Sequence, residues 1–92
     1  MELECRFFAT YREAVGRKEL DWSADDDARV GDVLAALEAE YEGLEGRLIA
    51  DGEIRPQLSV LRNGRDVAHQ SGAATTLEEG DTLSVFPPVA GG

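Results

Sequence analysis

The residues best suited to chemistry are the last six, Pro87-Pro88-Val89-Ala90-Gly91-Gly92. Two prolines cannot donate to a β-ladder, so they end any strand before them and bias the chain toward an extended path. Fully extended, six residues reach roughly 20 Å, far enough to thread into another protein's active site. Val89 and Ala90 offer a small apolar grip on the way in. Gly91 and Gly92 remove every Cβ near the terminal carboxylate, so the backbone can pass a narrow channel and a nucleophile can approach freely. The chemistry this suits is acyl activation and transfer at Gly92. A terminal glycine pair would arise by chance in roughly 1 of 200 chains at a glycine frequency of about 7%, so the weight rests on the whole segment following directly on a final strand.

Other reactive residue types are sparse. Cys5 falls in the apolar phase of its segment, beside Leu3 and Phe7, which marks a buried, inert thiol. His69 has no nucleophile or carboxylate constellation around it. Asp25-Asp26-Asp27 reads as a solvated acidic loop. Neither one cysteine nor one histidine can make a disulfide or a zinc cluster, so no metal site and no bound cofactor are expected. Lys18 is the single lysine beside eight arginines, hence the one side chain able to accept an isopeptide bond. Nineteen acidic residues against nine basic ones give a net charge of −10, which repels nucleic-acid phosphates and anionic membranes. An acidic, lysine-poor surface also suits a high-salt cytoplasm, where charge repulsion is screened. The amino-terminal residues have no basic and apolar leader pattern, and no stretch is long enough to span a bilayer, so a cytoplasmic location is expected.

The elements that must position the tail follow from periodicity. Ninety-two residues support one core. Residues 1–10 alternate in two phases and predict a half-buried strand. A helical turn over 11–15, closed by Gly16, leads to a returning strand over 17–22. Val30, Val33, Leu34, Leu37, Tyr41 and Leu44 recur at helical spacing and predict one main amphipathic helix. Residues 48–57 are expected to be irregular. Leu58–Arg62 and Asp66–His69 flank Asn63-Gly64, a hairpin signal. Thr82–Phe86 alternates again and predicts the last strand. The order indicates an α+β fold, a mixed sheet with one main helix on one face, of the β-grasp kind. Residues 1–86 are expected to form that domain and 87–92 an extended, flexible tail.

Phe7-Phe8-Ala9-Thr10-Tyr11-Arg12-Glu13-Ala14-Val15-Gly16 resembles the first strand and turn of the molybdopterin synthase small subunit family, MoaD/ThiS. Val30-Gly31-Asp32-Val33-Leu34, Arg62-Asn63-Gly64, residues 75–81 and the tail Phe86-Pro87-Pro88-Val89-Ala90-Gly91-Gly92 resemble that family in turn. Two positions depart from its pattern. Arg29 stands where a capping threonine is frequent, and Arg62 where valine is frequent. The resemblance implies a ubiquitin-like sulfur carrier without catalytic residues of its own. Its Gly92 would be adenylated by a ubiquitin-activating-type enzyme using ATP, then converted to a thiocarboxylate. Sulfur would pass to a pterin precursor in the molybdopterin synthase large subunit, for molybdenum cofactor synthesis. Similar archaeal proteins also act as small archaeal modifiers, forming isopeptide bonds with target lysines. A dedicated modifier and a plain interaction domain are therefore the alternative readings.

A docking surface is expected as well. Phe8 and Phe86 lie in the polar phases of the first and last strands, so both should face away from the core. If those strands are neighbours, the two rings form one apolar patch at the root of the tail. The resemblance agrees, since aromatic residues there contact partner proteins. Leu61, out of phase with Leu58 and Val60, would extend the patch.

Overall fold

The computed structural model describes residues 1–88. The chain begins with β1 (Glu2–Phe7), whose alternation buries Leu3, Cys5 and Phe7 on one side and leaves Glu2, Glu4 and Arg6 on the other. The strand stops at Phe7, three residues earlier than the alternation suggests. Phe8 stays extended, but Ala9 adopts φ 50° and turns the chain into α1 (Ala9–Val15). The Phe8 carbonyl accepts from the Tyr11 N–H at 3.1 Å, which starts that helix. Gly16, left-handed at φ 87°, closes it as expected. The chain then returns as β2 (Glu19–Ser23), antiparallel to β1.

The main helix, α2, runs from Val30 to Glu40 and buries Val30, Val33, Leu34 and Leu37 against the sheet. Leu44 reaches the same core from a 3-10 turn (Glu42–Leu44) rather than from the helix itself. Arg29 does not weaken the helix start. The Asp32 carboxylate reaches back to the Arg29 N–H at 2.9 Å, the Thr75 carbonyl takes the Val30 N–H at 3.0 Å, and the Arg29 guanidinium binds the Ala74 carbonyl.

The stretch expected to be irregular contains a small hairpin, β3 (Ile49–Ala50) and β4 (Glu53–Ile54), turned by Asp51 and Gly52 at positive φ. Glu38 on α2 fixes it, its carboxylate accepting the Leu48 and Ile49 N–H groups at 2.7 and 2.9 Å. Leu44 and Leu48, both ahead of the hairpin, are fully buried, so they anchor this otherwise largely exposed segment to the core. The Asn63-Gly64 hairpin joins β5 (Ser59–Arg62) to β6 (Arg65–Asp66). The expected partner strand 66–69 is shorter than its sequence suggests, because Val67–His69 folds into a 3-10 turn capped by Asp66. The last strand, β7, spans Thr82–Phe86 as expected.

The main sheet has the order β2-β1-β7-β5-β6. β1 and β7 run parallel at its centre, and the other pairs are antiparallel. This mixed sheet with α2 across one face is the β-grasp architecture, with α1 as a second, shorter helix.

Arg62 accounts for its own departure from the family pattern. Its Nε donates to Asp81 at 2.6 Å, and the same carboxylate accepts from Asn63 Nδ2 at 2.9 Å and the Glu78 N–H at 2.8 Å. Burial alone would raise the Asp81 pKa, but the bonds from Arg62, Asn63 and Glu78 outweigh it and hold the group below its ordinary 3.8. A depressed folded pKa gives stability that is present above the unfolded pKa and disappears as pH falls through the folded one. The Asp81→Asn variant should therefore be less stable by about 2 kcal/mol near pH 7. In denaturant titrations its gap from the unmodified chain should shrink as pH falls below about 4. A gap that stays constant with pH would contradict this assignment.

Candidate functional site: the root of the C-terminal segment

The parallel register pairs Phe7 with Val85, which sets Phe8 beside Phe86. Their rings stack with centroids 4.1 Å apart and planes 11° apart. Both are half-buried, each covering one face of the other and presenting the rest to solvent. Leu61 lies on the same face of the sheet, opposite Ser84 and diagonal to Phe86. The half-buried Leu61 continues the apolar surface across β5. The three residues expected to form a docking patch are thus brought together on the face opposite α2.

Arg12, which the sequence reading does not single out, joins them. Its guanidinium lies 6.0 Å from the Phe8 ring centroid and its Nε donates to the Phe7 carbonyl at 3.4 Å. The signal was available, since Arg12 follows Phe8 at helical i+4 spacing. Lys18 is exposed in the turn between α1 and β2, where its carbonyl accepts from the Phe7 N–H at 2.9 Å. With Arg6, Phe7, Phe8, Arg12 and Glu19 it lines a shallow cavity of about 170 Å³.

From Phe86 the chain continues through Pro87, half-buried, and Pro88, exposed and outside the sheet. Pro87 has no N–H, so the β7 ladder cannot extend past Phe86. Val89, Ala90, Gly91 and Gly92, the residues expected to thread and react, lie outside the described residues.

The remaining candidates separate cleanly. Cys5 is fully buried, and burial pushes its thiol up to about 12, with Glu4 adding to the effect. His69 and the three consecutive aspartates are exposed. Among the described residues no group of His, Cys, Asp and Glu could hold a metal ion, and no helix is long and apolar enough to cross a membrane.

Together, the parallel β1/β7 centre, the mixed sheet and the helix across it define a ubiquitin-like fold, with a ridge of stacked aromatics beside the proline exit from β7. The ThiS family model matches residues 5–92, and the chain belongs to that family of ubiquitin-like sulfur carriers and modifiers. It is 66% identical to small archaeal modifier protein 3 of Haloferax volcanii over 92 residues, covering all of both chains. It is 34% identical to the sulfur carrier protein CysO of Mycobacterium tuberculosis over 80 residues, 84% of this chain and 83% of the relative. The structure resembles that in the BexX/CysO complex of Amycolatopsis orientalis at a TM-score of 0.80 and 26% identity, covering 98% of this chain and 99% of the other. These relatives are small carrier and modifier proteins rather than enzymes.

With its thiol held protonated and enclosed, Cys5 should resist maleimide in the native state near pH 7 and react fully once the chain is unfolded in guanidinium. Intact mass after each treatment reads this directly. Rapid native labelling would contradict the burial of Cys5 and admit it as a second sulfur-bearing group.

Proposed function

We propose that this chain is an acyl-activated carrier whose reacting group is the Gly92 carboxylate. A carboxylate is a poor electrophile until one oxygen becomes a leaving group. Attack of that carboxylate on the α-phosphate of ATP, in an adenylating enzyme of the ubiquitin-activating type, releases pyrophosphate and leaves an acyl-adenylate. Hydrosulfide then adds to the acyl carbon and expels AMP, giving a thiocarboxylate with loss of one proton. Sulfide is the stronger nucleophile near neutral pH, so exchange outruns hydrolysis when water is excluded. The thiocarboxylate supplies sulfur for molybdopterin synthesis in a partner large subunit, which provides the catalytic groups. The observation that carries this reading is the Phe8–Phe86 stack where the chain leaves β7, an apolar ridge that supports docking of a partner beside the terminal segment.

One finding favours a second use of the same acyl-adenylate. The 66% identity to a small archaeal modifier protein supports attack by a target lysine, which expels AMP and leaves an isopeptide bond. Lys18, exposed and the single lysine, is the acceptor available for self-linked chains.

Incubation with the cognate adenylating enzyme, ATP and sulfide should raise the intact mass by the exchange of one oxygen for sulfur, and a chain lacking Gly92 should show no change. Deleting the gene should abolish molybdoenzyme activity. Unchanged mass with an enzyme active on another carrier would overturn the carrier reading. Intact molybdoenzyme activity with lost lysine conjugates would assign the chain to modification alone.

A further inference from the structure

The far end of β1 from the terminal segment carries a second surface. Trp22 pairs with Leu3, whereas Phe86 sits beside Phe8, so the two surfaces are separated along β1 by about 17 Å at roughly 3.3 Å per residue. A groove of about 370 Å³ opens there between β2 and α2. Trp22, Ala24, Ala28, Val33 and Ala36 form its apolar floor, and Asp25 and Asp32 stand at its rim, with no basic residue lining it.

The groove adjoins an open sheet edge. β2 is the outermost strand on its side, and the Phe7 to Lys18 and Met1 to Ala24 bonds fix the parity of its ladder. By that parity Leu20 and Trp22 bond to β1, while Glu19, Asp21 and Ser23 turn their backbone N–H and C=O groups outward. The strand has neither proline nor bulge, so nothing in its backbone blocks an added strand. Leu20 and Trp22 face the helix side, and Glu19 and Asp21 face the opposite side with Glu2, Glu4 and Arg6. Arg6 lies opposite Glu19 and is bonded to Glu4 at 2.6 Å, which leaves the face with a net acidic excess.

We propose that this edge and groove form a docking site for an extended, basic segment of a partner protein, bound as an added strand on β2. Alternate apolar side chains of that segment enter the groove beside Trp22, and the lysines or arginines between them lie against Glu19 and Asp21. Charge selects this occupant over a second copy of the chain, because pairing two β2 edges would bring like acidic strands together on molecules of net charge −10. The site is remote from the Phe8–Phe86 ridge, so it stays open while the chain end is engaged or joined to another molecule. It is independent of the chemistry assigned to Gly92.

The probe is a capped heptapeptide, Lys-Val-Lys-Ile-Lys-Val-Lys, titrated into the isotopically labelled full chain at fixed salt. Saturable amide shifts confined to residues 19–24 and 32–36, a change in the emission of Trp22 and slowed exchange of the Glu19, Asp21 and Ser23 amides are expected. Glutamate in place of every lysine should abolish binding. Asp21→Pro, which removes an outward N–H and spares the β1 ladder, should weaken it by about tenfold or more. Ala36→Arg, which fills the groove from the helix, should do the same should the proline variant unfold. Shifts spread over the whole acidic surface, insensitivity to both substitutions, no shift at millimolar peptide, or dimerisation of the free chain through β2 would each overturn the proposal.

Discussion

The parallel pairing of β1 with β7 is the constraint on which the rest of the molecule depends. A parallel pair cannot be closed by a tight turn, so the chain between its strands must cross over. Here the crossing supplies α2, which covers the sheet. The same register buries Cys5 and Phe7 beside Leu83 and Val85, making the centre of the sheet the floor of the core. One residue beyond Phe7 and Val85, the phase brings Phe8 and Phe86 together on the opposite face. Slipping the pairing by one residue would carry the apolar set to solvent and separate the aromatic stack.

Around this centre the long-range polar contacts act as clasps on segments with little regular structure. Asp81 gathers Arg62, Asn63 and the Glu78 backbone, so the turn before β7 and the β5–β6 hairpin are held as one unit. Glu38 does the same for the short β3–β4 hairpin, at the opposite end of the helix from the Asp32 cap. Gly43 allows the turn after α2 to press on α1, since a Cβ there would meet Ala14 Cβ at 2.8 Å. The result is a frame from which a proline-led segment leaves β7 beside an apolar ridge.

Much of this is legible in the sequence because the decisive signals are local. Alternation from Leu3 to Phe7 and from Thr82 to Phe86 names the buried residues, and Pro87 marks the end of β7. Phe8 shows why phase survives a misplaced boundary: it caps a helix instead of continuing a strand, yet its extended backbone keeps the ring on the predicted side. The β3–β4 hairpin escaped because two-residue strands have no period to detect, although Asp51-Gly52 is a hairpin turn signal. Its stability comes from Glu38, more than ten positions away in places such as Ile49. The groove at Trp22 depends on how β2 and α2 meet in space, which composition and spacing do not encode.

The central claim is that the aromatic ridge holds the chain while its end reacts. ATP–pyrophosphate exchange by the cognate adenylating enzyme, with the Phe86→Ala chain against the unmodified one, tests it most directly. The apparent KM for the carrier should rise by about tenfold or more, equivalent to roughly 1.4 kcal/mol of lost docking, with kcat little changed. Equal KM values for two equally folded chains would contradict it.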